Sequence, residues 1–178
     1  MGESYSSMPP LTLPELERLH ALYADGVYRF LCLSTGSRQE AEDLVQEFYV
    51  KLARSGARCH DPATERGWIF TAARNLAMDW HRRNARRPAP AALEDIPLEP
   101  ACAGADPDAA YFGREMLTAL GSLPDDQREA AALRLWEGLS LQEIAEIQQV
   151  PLQTVASRLR YATARLRERL KSLYSEIQ

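Results

Sequence analysis

Cysteine is scarce in this sequence. The 178 residues hold three, Cys32, Cys59 and Cys102, odd in number and without a CxxC pair, which excludes a disulfide framework. No apolar run approaches the roughly 20 residues of a membrane span, and the opening MGESYSSMPPLTLPE lacks the basic and apolar regions of a signal peptide. The expectation is a cytoplasmic protein with no membrane insertion. Also missing are a glycine-rich phosphate loop, a nucleophile elbow and any cluster with metal-ligand spacing, so an enzyme is the least supported class, and no cofactor and no metal are expected. Cys59-His60 with Cys102 and His20 is the material for a metal or redox sensor, but those spacings match no zinc site.

What is present is ordinary in bulk and uneven along the chain. Hydrophobic residues at 46% and charged residues at 26% allow a packed core. The net charge of −4 averages over opposed blocks. Arg66 to Arg87 contains six arginines and His81 against one acid, Asp79. Pro88 to Ala110 contains five acids, five prolines and no Lys or Arg, a composition expected to sustain neither helix nor core. Pro151 to Lys171 is basic again, with five arginines and Lys171 against Glu168. No period-2 pattern competes with helix. The predicted architecture is all-α: two small helical domains, 13–87 and 111–174, joined by a flexible acidic, proline-rich linker over 88–110.

Periodicity then separates a core face from an outer face on each helix. On Ser37 to Arg54, Ala41, Leu44, Val45, Phe48 and Leu52 point inward, while Asp43, Gln46, Glu47 and Val50 lie opposite. Acidic residues on an outer helix face are ordinarily just solvated, and an apolar Val50 in their midst tilts the reading toward a docking surface. On Gly67 to Arg83, Ile69, Ala72, Ala73, Leu76 and Trp80 form the buried stripe, leaving Thr71, Arg74, Asn75, Met78, His81 and Arg82 outside. Continued by RRNARR, this is a basic patch fit for phosphate, and the Asn75 amide beside it has the chemistry to read a base edge. Trp68 and Phe70 are available for core closure or for stacking on an unpaired base.

Near the C-terminus, Ser140 with Glu143 forms a capping box before LQEIAEI. Leu141, Ile144 and Ala145 make the inner face of that helix, and after QQVP a second helix buries Val155, Leu159, Ala162 and Leu166. The expected unit is a helix-turn-helix, with Pro151 near the first turn of the second helix. Its corner lacks the usual glycine; a left-handed Gln149 would cost on the order of 1 kcal/mol. The outer face centres on Gln153, Ser157 and Arg160, flanked by Thr154, Arg158 and Tyr161, a mixture suited to the major groove.

These stretches resemble, in order, the segments of the extracytoplasmic-function (ECF) group of bacterial sigma factors, within the sigma-70 family. AEDLVQEFYVKL is similar to that family's polymerase-docking helix, GWIFTAARNLAMDWHRR to its promoter-melting and −10 helix, and LPDDQREAAALRLWEGLSLQEIAEI with VPLQTVASRLRYATARLRERL to its −35 domain. The resemblance implies a non-enzymatic sigma factor with core RNA polymerase and promoter DNA as partners, duplex at −35 and melted at −10, and an anti-sigma factor as a further one. It places Asp43, Gln46, Glu47 and Val50 on the polymerase, and Arg66, Trp68, Arg74, Asn75, His81, Arg82 and Arg83 on the −10 element. Ser55 to Arg66 would be a loop forming a pocket for a flipped base. Gln153, Thr154, Ser157, Arg158, Arg160 and Tyr161 fall on the −35 element, with Arg165 as a phosphate contact. The chain departs from the family at Gln148-Gln149, where Leu-Gly is frequent, and at Ala156, where Lys is frequent.

The alternative is a helix-turn-helix regulator acting without polymerase docking. It leaves the first domain without a role, and the sequence shows no heptad for the dimer that paired half-sites require.

Overall fold

The computed structural model describes residues 11–55, 61–84 and 107–176, and within them every element is a helix. In chain order these are α1 (Leu13–Thr35), α2 (Arg38–Ser55), α3 (Pro62–Asn84), α4 (Pro107–Gly121), α5 (Asp125–Leu135), α6 (Leu141–Gln148) and α7 (Leu152–Glu176).

Helix α1 begins where Thr12 N–H and Oγ1–H both donate to Glu15 Oε2, at 2.8 and 2.6 Å. It stops at Gly36, whose φ of 65° is left-handed and whose N–H donates to Cys32 O at 2.8 Å. Helix α2 packs on it through Ala41, Leu44, Phe48 and Leu52 of the inward set expected from periodicity, while Val45, the fifth of that set, is only half-buried against the same core. Helix α3 closes this bundle with Ile69, Phe70, Ala73, Leu76 and Trp80, and Trp80 Nε1 donates to Glu40 Oε2 on α2 at 2.8 Å.

Two expected boundaries shift. Helix α3 starts at Pro62, inside the stretch Ser55 to Arg66 expected to be a loop. Asp61 Oδ1 accepts the Ala63 N–H at 2.9 Å, satisfying a first-turn donor beside a proline that has none to satisfy. Glu65 then fixes the turn tertiarily. It is 5% exposed and takes both Arg18 guanidinium nitrogens, at 3.0 and 2.5 Å, with Tyr23 Oη at 2.9 Å. Residues 56–60 of the expected loop lie outside the described residues. Likewise α4 begins at Pro107 and takes in the last four residues of the expected linker, again with proline at the first position, followed by Asp108 and two alanines. The remainder, 88–106, lies outside the described residues.

Helix α5 determines how the two helical regions meet. Ala130, Ala131, Ala132 and Leu133 are consecutive and all buried, so this short helix is covered around its circumference. Ala130, Ala132 and Leu133 join a core shared with α1, α2 and α3, whereas Ala131 joins Leu120, Leu123, Ala162 and Leu166 in a second core between α4, α5 and α7. Trp136, just after α5, packs against both. Alanine is the residue type that lets a helix be approached from both sides without loss of helix propensity.

The corner after α6 resolves the missing glycine. Gln149 has φ 54° and ψ 44°, left-handed, with its N–H directed to Glu146 O at 3.3 Å. Val150 N–H closes back to Ala145 O at 3.1 Å, which completes a Schellman stop. Ser140 and Glu143 form the expected capping box, with Ser140 N–H donating to Glu143 Oε2 at 2.8 Å and Glu143 N–H to Ser140 Oγ at 3.2 Å. The inner face differs from the periodic reading at one end. Leu141 is 38% exposed, while Ile144, Ala145, Ile147 and the polar Gln148 are buried.

Candidate nucleic-acid interface

The outer face of α2 carries Asp43, Gln46 and Val50 in the open, with Glu47 half-buried at its edge. Glu47 receives Lys51 Nζ at 2.7 Å and Arg83 Nη2 at 3.4 Å. Those cations hold its carboxyl below the ordinary carboxylate range, Lys51 contributing most. The α2 face therefore adjoins the basic end of α3 through a direct ion pair.

On α3 the predicted residues separate into two groups. Asn75, His81, Arg82 and Arg83 are exposed, and His81 rests edge-on against Trp80 at 4.9 Å. Arg82 pairs along the helix with Asp79, a surface contact that holds its guanidinium weakly. Trp68 is half-buried against the core, while Phe70 is fully enclosed and stands edge-on to Phe30 at 5.9 Å. Phe70 is the core-closing aromatic of the two.

Arg74 and Arg66 have protein partners from the second region. Arg74 Nε lies 2.6 Å from Glu129 Oε1 on α5, both side chains largely covered at 13% and 18% exposure. Burial raises the Glu129 carboxyl above its ordinary range, against the opposing pull of Arg74. Arg66 Nη1 donates to the backbone oxygen of Glu137 at 2.7 Å, and Arg29 Nη2 reaches Glu137 Oε1 at 3.2 Å. Sequence reasoning missed Arg29, Glu129 and Glu137. The only signal for the last was Gly138, left-handed at φ 66°, in the turn that follows the end of α5 at Leu135.

On α7, Gln153, Arg160, Tyr161 and Arg165 are exposed, and Thr154, Ser157 and Arg158 are half-buried. The Arg160 guanidinium sits 5.1 Å from the Tyr161 ring centroid. Arg158 turns inward. Its Nη1 donates to Gln148 Oε1 at 2.8 Å and its Nη2 lies 2.5 Å from Asp126 Oδ2. Gln148 also donates through Nε2 to Asp126 O at 3.1 Å, so the glutamine at the departure from Leu-Gly is a buried polar joint. Cys59, His60 and Cys102 lie outside the described residues, and His20 faces the Tyr49 ring at 4.9 Å. No described helix is long and apolar enough to cross a membrane.

A helical region with an acidic face and an adjoining basic one, followed by a second region with an open polar and arginine-bearing helix, is an all-α arrangement whose chemistry suits nucleic acid. Residues 19–87 match the family Sigma-70 region 2, and residues 113–166 match Sigma-70, region 4. The sequence is 35% identical to the ECF RNA polymerase sigma factor SigE of Mycolicibacterium smegmatis, over 92% of this chain and 65% of that protein. It is 33% identical to the RNA polymerase sigma factor CarQ of Myxococcus xanthus, over 90% of this chain and 92% of that one. Among solved structures, the sigma factor RpoE of Bartonella quintana, in complex with the anti-sigma factor NepR, is similar at a TM-score of 0.70. That match has 26% identity and covers 89% of this chain and 98% of that one. The chain belongs to the ECF group of the sigma-70 family, the subunits that direct core RNA polymerase to promoters through their −10 and −35 elements. It is a specificity subunit and not an enzyme.

Proposed function

We propose that the three faces divide the work of initiation among named residues. Asp43, Gln46, Glu47 and Val50 on α2 dock core polymerase. Asn75, His81, Arg82 and Arg83 on α3, with Arg66, Arg74 and the half-buried Trp68, hold the melted −10 strand. Helices α6 and α7 with the Gln149 corner act as a helix-turn-helix, in which Gln153, Ser157, Arg160 and Tyr161 enter the −35 major groove, flanked by Thr154. Arg165 grips phosphate. Arg158 serves this surface indirectly, by bracing the corner through Gln148 and Asp126. Regions 13–87 and 111–174 are the functional units, in the cytoplasm where transcription takes place. An anti-sigma factor is a fitting partner, given that the Bartonella quintana relative was solved with one.

The observation that supports the docking reading is the contact of Arg83 with Glu47, 3.4 Å apart, because the acidic face of α2 then lies beside the basic end of α3. A polymerase seated on α2 would deliver opened DNA to α3. Asp43→Arg with Glu47→Arg should abolish core binding in a pull-down while shifting the melting temperature little, since surface substitutions usually change stability by under about 0.5 kcal/mol. Retained core affinity would overturn the assignment of that face.

A further inference from the structure

We propose that Gln148 is a positioning residue for −35 specificity: buried behind the corner, it sets the roll of α7 and so which bases Gln153, Ser157 and Arg160 meet. This rests on the −35 reading above and extends it to a residue that touches no nucleotide. Gln148 is 3% exposed and ends α6, one residue before the left-handed Gln149. Its Oε1 accepts from Arg158 Nη1 at 2.8 Å and its Nε2 donates to Asp126 O at 3.1 Å, so the amide is bonded at both ends. Arg158 Nη2 completes the circuit by reaching Asp126 Oδ2 at 2.5 Å. One residue from each of α5, α6 and α7 thus enters a closed polar cycle.

The cycle supplies what the apolar seat of α7 does not. Val155, Ala162 and Leu166 are buried along its inner face, with Leu159 half-buried beside them. Apolar contact is non-directional and Val155 and Ala162 are small, so this stripe resists lifting α7 more than turning it about its own axis. Hydrogen bonds are directional, and a guanidinium fork held at two points accepts one orientation. Arg158 leaves α7 next to Ser157 and two residues before Arg160, on the flank between the buried stripe and the open face, so its tether fixes the angle at which both are presented. With its side chains a helix is about 10–12 Å across, so a roll of about 10° moves the outer groups by about 1 Å. A shift of that order unmakes a hydrogen bond to a base edge but leaves longer-range attraction to phosphate nearly intact. At 18% exposure Arg158 is itself committed to the cycle rather than to the groove.

The test uses the full chain assembled with core RNA polymerase and two labelled duplex promoters that differ only at −35. One carries the −35 sequence that the wild type selects from a randomised pool, the other a scrambled version of it. Gln148→Leu should lower the ratio of the two affinities about tenfold, with the scrambled promoter bound as before, because phosphate contacts lie outside the cycle. Arg158→Lys is the second variant. It keeps the charge that any phosphate contact would need but cannot bond Gln148 and Asp126 together, so it should lower the ratio in the same way. Both are measured at a temperature where their circular dichroism matches that of wild type. An unchanged ratio in both folded variants would overturn the positioning role. Equal weakening on both promoters would overturn it too, since the cycle would then serve the fold alone. A wild-type ratio for Arg158→Lys beside a lowered one for Gln148→Leu would show that charge suffices at 158, and the two-point tether would fall. Arg160→Ala keeps this failure apart from that of the −35 reading: if its loss also leaves the ratio untouched, the reading itself is at fault.

Discussion

Arg158 on α7 donates to Gln148 on α6 across 2.8 Å, and both converge on Asp126 at the start of α5. A buried glutamine thus does the work of a packed leucine at this corner, and it does so only while its amide is fully bonded. Gln148→Leu should lower stability by about 1 to 3 kcal/mol, because the Arg158 guanidinium and the Asp126 carbonyl each lose a partner in a largely covered site. Thermal melting measures this. A melting temperature that rises would mean the added apolar contact outweighs the lost bonds.

Gln149 offers the opposite change. Its φ of 54° is a conformation that glycine reaches freely and glutamine does not. Gln149→Gly should stabilise the chain by up to about 1 kcal/mol while leaving −35 preference intact, as read by denaturant midpoint and by binding to cognate duplex.

Glu65 should make stability sensitive to acid. Arg18 first, and Tyr23 after it, hold its carboxyl below the ordinary value of 4.5. A depressed acid contributes stability above its unfolded value, and that contribution is lost as pH falls through the folded one. Glu65→Gln should therefore melt lower than wild type near neutrality, with the gap narrowing as pH drops below about 4.5. A gap that stays constant across the titration would remove the ion pair as its cause.

For the −35 surface, Arg160→Ala should relax preference at one or two base pairs, costing about 1 to 3 kcal/mol against the preferred sequence. Arg165→Ala should weaken cognate and scrambled duplexes alike and reduce the salt slope by about one charge. Equal losses on both duplexes for Arg160→Ala would show that α7 only grips the backbone.

Much of the fold was legible because it is written in short-range patterns. The inward set of α2, the Ser140–Glu143 capping box and the left-handed Gln149 all follow from residues within a few positions of one another. The start of α3 at Pro62 was not legible, since the turn over Pro62–Glu65 is secured by Arg18 and Tyr23 from α1, 47 and 42 residues away. The same holds for the candidate site. The exposed members Asn75, His81 and Arg160 were visible as helix faces, whereas the inward turn of Arg158 depended on which carboxylate stood opposite.

By itself the sequence determined the amphipathic patterns of α2, α3, α6 and α7, two basic surfaces, one acidic face and the motifs that resemble those of a sigma factor, because helix periodicity and caps act over three or four residues. Only the tertiary structure decided which arginines are free. Arg74 meets Glu129 from 55 residues away and Arg29 meets Glu137 from 108, so charge along the chain gave no hint of either pairing. The physical reason is that an ion pair is chosen by proximity in the folded chain. Here proximity was set by α5, whose small buried alanines let the two helical regions close on one another.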